Sequence, residues 1–302
     1  MGLIAVAAIA AHAESYYLVV AGLGGEAEYE QRFTGWASDL TKLLKAEPNS
    51  KVETLSGNSA TKANIEAKMR EVAAASKADD QFVMLLMGHG SYDEQDYKFN
   101  IPGPDISAKE LGALLDKIAA KEAVILMTSS SGGAIPSLQK PKRVLVTATK
   151  SGTEKNATIF ARYFIEALRD KEADTDKSET LTVQEAFHYA EQKTAKFFES
   201  QKRLATEHAL IEDTGKGEGV KDPSPENGEG LTAGRFALLH LGAVAALVND
   251  PEKQKLLKHK EDLEAAIDQL KYEKASMALP QYRQQMQEYL LDLAKTQEAL
   301  DK

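Results

Sequence analysis

The chain reads as an α/β protein: a mostly parallel sheet flanked by helices, followed by a C-terminal helical hairpin. Three observations lead there. Four apolar runs are continuous rather than alternating, which is the pattern of strands buried on both faces. They are YYLVVAG at 16–22, DQFVMLLMGHG at 80–90, EAVILM at 122–127 and RVLVTAT at 143–149. Between them lie segments with apolar residues at helical spacing, so strands and helices alternate as a parallel sheet requires. Beyond residue 231 the composition changes to long, highly charged helical patterns.

In chain order, YYLVVAG is the first strand, closed by glycines. QRFTGWASDLTKLLKA (31–46) is a helix, KVETL (51–55) a short strand, and TKANIEAKMREVAAAS (61–76) a helix capped by Ser59 or Thr61. The run ending in Met87 is the next buried strand. SAKELGALLDKIA (107–119) is a helix with its cap at Ser107. Two further strands, ending near Met127 and Thr149, precede the amphipathic helices NATIFARYFIEALRD (156–170) and TVQEAFHYAEQKTAKFFESQK (182–202). The domain so defined runs from 14 to 212.

Residues 213–231, DTGKGEGVKDPSPENGEGL, place five glycines and two prolines among charges and read as a linker. A calcium-loop likeness in DTGKGE fails because Lys216 stands where an oxygen ligand is wanted. TAGRFALLHLGAVAALV (232–248) reads as an apolar helix too short to span a bilayer. A charged helix over 251–277 is then stopped by Pro280 and a second follows at 281–300, so 232–302 is expected to hold a hairpin turning near 278–280. Leu256, Leu263, Ile267 and Leu270 are expected to face Met286, Leu290, Leu293 and Leu300, with an outer stripe open to self-association or a protein partner.

The totals bound function. With 302 residues and 43% of them apolar, the chain can build one large core and an appendage. The net charge of −9 gives no footprint for nucleic acid. There is no cysteine, hence no disulfide, no thiolate metal site and no cysteine nucleophile. His188, His208, His240 and His259 show no shared ligand spacing, so no metal and no cofactor is expected. The opening MGLIAVAAIAAHAE carries an apolar run and then Ala11-His12-Ala13, the pattern that precedes signal-peptide cleavage, although no positive segment precedes it. Residues 1–13 are therefore expected to be a leader, whole or truncated, and the protein to be exported to the periplasm or secreted.

Two stretches stand at the carboxyl ends of strands, where an open α/β sheet carries its site. One is His89 between Gly88 and Gly90; the other is MTSSSGG at 127–133. Together they resemble the caspase-like fold of the legumain, metacaspase and caspase clan, closest to bacterial legumain-type peptidase homologues. That clan shows a hydrophobic strand ending in His-Gly and a later one ending in Cys-x-Ser-Gly. Matching Ser131-Gly132 to its Ser-Gly sets Ser129 where the clan keeps its catalytic cysteine. The resemblance spans about residues 16–212 and implies a caspase-like mostly parallel sheet, a His89 dyad with residue 129, and an oxyanion site of the Gly90 and residue-129 backbone amides. It also implies a substrate pocket near Thr147, Thr149 and Ser151.

The departure falls on the reacting atom. A thiol is partly ionised near neutral pH, whereas a hydroxyl needs a closely held, oriented base. No carboxylate is placed by the sequence to orient His89, since Asp93, Asp96 and Asp105 read as solvated or capping. The expectation is a pseudoprotease that binds peptide or protein, whether Ser129 is native or an exchange for cysteine. The alternatives are a serine hydrolase using Ser129 with His89, and a non-enzymatic assembly protein acting through its C-terminal helices.

Overall fold

The computed structural model describes residues 13–242 and 250–301. The expected leader, save Ala13, and residues 243–248 of the expected apolar helix lie outside these. In chain order the strands are β1 (Ser15–Ala21), β2 (Ser50–Leu55), β3 (Gln81–Gly88), β4 (Gly90–Tyr92), β5 (Tyr97–Phe99), β6 (Ile106–Ser107), β7 (Lys121–Thr128), β8 (Arg143–Thr147), β9 (Thr180–Thr182), β10 (Leu210–Glu212) and β11 (Ala237–His240). The helices are α1 (Ala27–Leu44), α2 (Lys62–Ala75), α3 (Ala108–Leu115), α4 (Ile135–Leu138), α5 (Phe160–Ala167), α6 (Val183–Ser200), α7 (Pro251–Glu273) and α8 (Leu279–Leu300).

Six strands form the central sheet in the order β10-β8-β7-β3-β1-β2. All pairings are parallel except that of β10 with β8. The continuous apolar runs have the reason expected of them. Alternate residues of β1 enter different cores, Tyr17, Val19 and Ala21 on one face and Tyr16, Leu18 and Val20 on the other. Helices α1, α5 and α6 cover the first face; α2, α3 and α4 cover the second. The caps fall where hydroxyls offered them: Thr61 accepts from the Asn64 amide, and Ser107 and Glu110 form a reciprocal capping box.

Two small sheets are additions that the apolar periodicity did not announce. β4, β5 and β6 make an antiparallel sheet directly after His89, and β9 pairs with β11. The latter corrects the helical reading of 232–248, because Ala237–His240 is extended. Tertiary pairing overrides helical spacing here: β9 supplies a strand edge, the Tyr17 hydroxyl donates to the Leu238 carbonyl at 2.9 Å, and Leu238 and Leu239 enter the main core.

The glycine- and proline-rich stretch 213–231 is irregular, as read, but it is pinned rather than loose. Asp213 accepts the amides of Gly230, Thr232 and Ala233, Glu212 those of Gly215 and Lys216, and Glu229 that of Asp213. Val220 bridges Ile211 at the edge of the sheet. All three carboxylates are buried, so they replace ladder bonds that the irregular backbone lacks.

The C-terminal hairpin also differs in detail. Pro280 sits in the first turn of α8, where its missing amide costs nothing, and the turn lies before it. Leu263, Ile267 and Leu270 of α7 are buried, but Leu290 is exposed, as are Leu279 and Leu291. The hairpin rests on the sheet domain through α7, where the Lys260 ammonium donates to the Ser178 carbonyl at 2.9 Å and the Tyr272 hydroxyl to the Glu229 carbonyl at 2.6 Å.

His240 joins these parts, its ring held between Glu47, at the entry to β2, and Glu261 of α7. Burial alone would push this imidazole towards neutrality, but the hydrogen bonds and charges of Glu261 and Glu47 hold its pKa up at about 10. In the unfolded chain it titrates near its ordinary value of about 6.5. Its contribution is therefore complete below about pH 6.5 and is lost as pH rises through about 10. The gap in melting temperature between the chain and a His240→Gln variant is expected to shrink steadily from pH 7 to pH 10. A gap that does not change with pH would contradict this role for His240.

Candidate active site

The site is assembled by one strand pairing. β3 and β7 run in parallel with Gln81 opposite Lys121 and Gly88 opposite Thr128, so the residues that follow, His89 and Ser129, emerge together from one end of the sheet. Gly88 makes the exit possible. Its φ is +147°, and a side chain there would press on the Cα of Gly22, whose amide closes on the Met87 carbonyl at 2.8 Å.

His89 is oriented by the backbone rather than by a carboxylate. Its Nε2 lies 3.2 Å from the Gly24 carbonyl oxygen, which only accepts, so the ring proton sits on Nε2 and Nδ1 is left as the basic atom. Tyr29 and Phe33 of α1 meet the ring edge-on at centroid distances of 5.1 and 5.4 Å. Asp93, as expected, caps its own turn through the amides of Gln95 and Asp96, and Asp105 holds Asn100 and Ile101.

Ser129 is bonded to the residue beside His89 and not to His89 itself. Its Oγ accepts from the Gly90 amide at 3.1 Å and donates to the Gly90 carbonyl at 3.1 Å. The hydroxyl thus staples the start of β4 to the end of β7. The Gly90 amide, which the resemblance assigns to the oxyanion site, is spent on the same bond. Gly90 has no room for a side chain, because a Cβ would lie 2.5 Å from the Ser129 carbonyl oxygen.

The next two serines differ sharply from it. Ser130 has φ +57°, a strained conformation for a residue with a side chain, and its buried Oγ has no hydrogen-bond partner among the described residues. Ser131 exchanges bonds with Thr149, its Oγ accepting the Thr149 amide at 3.1 Å while the Thr149 hydroxyl accepts the Gly132 amide at 3.0 Å. Ser129 is 2% exposed, Ser130 and Ser131 are 0% exposed, so none of the three hydroxyls is open to solvent.

Thr147, Thr149 and Ser151 are reached by the same network. Thr147 donates to the Thr149 carbonyl and Thr149 to the Ser151 carbonyl, at 2.9 and 3.2 Å. Thr147 and Thr149 are fully buried, so they brace the turn after β8; Ser151 alone is partly open and pairs with Thr153.

Sequence reasoning missed four contributors. Gly24 offered no signal beyond its glycine-rich loop. Glu154 lies in a polar stretch with no motif, yet its carbonyl accepts the Ser130 amide at 2.8 Å and its half-buried carboxylate accepts the Lys150 amide and pairs with the His208 Nδ1 at 2.5 Å. His208 shares no ligand spacing with the other histidines, and it serves this pair instead. Tyr92, two residues past Gly90, packs its ring against Gly133 and Gly152.

A family-level sequence comparison matches residues 38–210 to the Peptidase C13 family. The chain belongs to the Peptidase C13 family. This is the legumain branch of the clan that the two strand-end motifs resemble. A comparison with curated proteins finds no match. Solved structures similar to the chain include a Geobacter sulfurreducens protein at 14% identity and TM-score 0.45, covering 60% of this chain and 89% of that one. Caspase-1 from Spodoptera frugiperda is 12% identical with TM-score 0.47, covering 67% and 87%, and the Drosophila initiator caspase Dronc is 11% identical with TM-score 0.41, covering 68% and 81%.

For this family member the three serines are expected to respond in different directions. Ser129→Ala strands both bonds of Gly90 and lowers stability by about 1–3 kcal/mol. Ser130→Gly removes an unpaired hydroxyl and about 1 kcal/mol of left-handed strain, so it leaves stability level or raises it despite glycine's added chain entropy. Denaturant unfolding checks both, and a Ser129→Ala variant as stable as the parent would remove the staple.

Proposed function

We propose that the chain is an exported peptidase homologue that binds a peptide or protein segment across the ends of β3 and β7 and hydrolyses nothing in its present form. The observation that carries this reading is the double hydrogen bond between Ser129 and Gly90. Attack on a carbonyl needs a nucleophile within reach of its base and donors left free for the developing oxyanion. Here one bond consumes the hydroxyl and the other consumes a donor, while Nδ1 of His89, the ring's basic nitrogen, makes no bond to Ser129. Family membership supports a peptide or protein as the ligand.

The serine-hydrolase alternative finds no matching observation, because none of the serine hydroxyls is both exposed and bonded to His89. A cysteine at 129 changes the balance. Sulfur is a weak hydrogen-bond acceptor, so it releases the Gly90 amide, and the ring already carries its proton on the far nitrogen with Nδ1 available to a thiol. In such an enzyme the thiolate sulfur bonds to the peptide carbonyl carbon while the Gly90 amide steadies the oxyanion. The C–N bond then breaks as the thiol's proton passes through His89 to the leaving amine, and water hydrolyses the resulting thioester to restore the thiol.

The expected outcome is that the chain neither cleaves a mixed peptide library nor reacts with a fluorophosphonate probe, while Ser129→Cys gives cleavage that His89→Ala abolishes. Loss of a nucleophile can cost about a millionfold in turnover, so partial recovery is measurable by mass spectrometry. Cleavage by the unaltered chain that disappears in Ser129→Ala would sink the pseudoprotease reading.

A further inference from the structure

The geometry points to Tyr92 as a gate on the cleft, an inference that rests on the peptide-binding reading of the same site. Two turns flank Ser129, one at 131–133 after β7 and one at 150–152 after β8. They are fused backbone to backbone, since a Cβ on Gly132 would lie 2.3 Å from the Lys150 carbonyl carbon and the Ser151 nitrogen. The ring of Tyr92 lies on both. A Cβ on Gly133 would approach its Cδ2 to 2.6 Å, and one on Gly152 would approach its Cδ1 and Cγ to 2.2 Å. The two glycines therefore form a slot that only a flat ring fills.

β4 delivers that ring by running from Gly90, over the end of β7, towards the end of β8. Its neighbour β5 is not free to move, because the Tyr97 hydroxyl bonds the Thr128 hydroxyl at 2.6 Å within the core and the Asn100 amide holds the His89 carbonyl. Tyr92 is different. It is only partly buried, and its hydroxyl makes no hydrogen bond among the described residues. Swinging the ring out breaks packing alone and exposes the backbone of both glycine turns, whereas lifting β5 would unpack Tyr97 and Phe99 from the core. An incoming peptide reaches the Ser129 turn by displacing the Tyr92 ring from its slot.

The chain has no cysteine, so Ser129→Cys places a single thiol under the gate and its alkylation by iodoacetamide reads access. Alkylation of Ser129→Cys should be slow against the same protein in denaturant, and equally slow with Tyr92→Phe added, because the ring is kept. With Tyr92→Ala added it should rise at least about tenfold, as expected when a local barrier to opening is removed. A second single-thiol protein, Ala186→Cys in the core of α6, separates local from global loosening: its alkylation should not change on adding Tyr92→Ala. The gate is overturned if Tyr92→Ala leaves the Ser129→Cys rate unchanged, or if it speeds Ala186→Cys as much. Because no peptide is present in these measurements, their failure leaves the binding reading standing. That reading fails separately if members of a mixed peptide library neither bind the Tyr92→Ala protein nor protect the thiol of the Ser129→Cys, Tyr92→Ala double variant.

Discussion

Parallel pairing of β3 with β7, in register up to Gly88 opposite Thr128, is the constraint on which the rest of this site depends. Neighbouring parallel strands end at one pole of a sheet, and a fixed register decides which side chains meet there. A shift of one residue would turn every apolar side chain of β7 to the opposite core. With both cores closed by helices and filled by side chains of definite size, that slip is resisted by packing along the whole buried run from Ala123 to Met127. Folding energy that has nothing to do with chemistry thus delivers His89 and Ser129 to adjacent positions.

What the pairing delivers, the chemistry of residue 129 decides. A hydroxyl is a strong donor and a strong acceptor, and beside the Gly90 backbone it satisfies both roles locally. The result is a closed strand end, with the serine buried and His89 tied by Nε2 to Gly24. A thiol at the same place is a poor partner for those bonds and is more easily ionised, so the same backbone would hold a group freed from its staple and able to react with a peptide that reaches it. On the proposed reading one atom separates a structural staple from a nucleophile. The strain at Ser130 fits the same picture, since a serine with φ +57° and an unpaired hydroxyl persists only where the turn is fixed from both sides. The Glu154 carbonyl and the Thr149 hydroxyl fix it so.

Much of this was legible in the sequence because strands buried on both faces leave continuous apolar runs, and hydroxyls before helices leave caps. The positions of His89 and Ser129 at strand ends followed from those runs. What was not legible depends on pairing across distance. Ala237–His240 has apolar spacing that suits a helix, and only the edge of β9 makes it a strand. Asp213, Glu212 and Glu229 look like solvated acids in a glycine-rich stretch until their backbone partners are seen. Gly24 acts through a carbonyl, which no residue type advertises. Tyr92 acts through the absence of side chains at Gly133 and Gly152, two residues remote from it in the chain.

The most direct measurement is a crystal structure of the unaltered chain at about 1 Å resolution, where hydrogens and ring nitrogens begin to be assigned from density rather than inferred. The account predicts Ser129 Oγ within hydrogen-bond distance of both the nitrogen and the oxygen of Gly90, with the His89 proton on Nε2 pointing at Gly24. A Ser129 hydroxyl turned instead to His89 Nδ1, leaving the Gly90 amide unbonded, would contradict it and describe a working serine nucleophile.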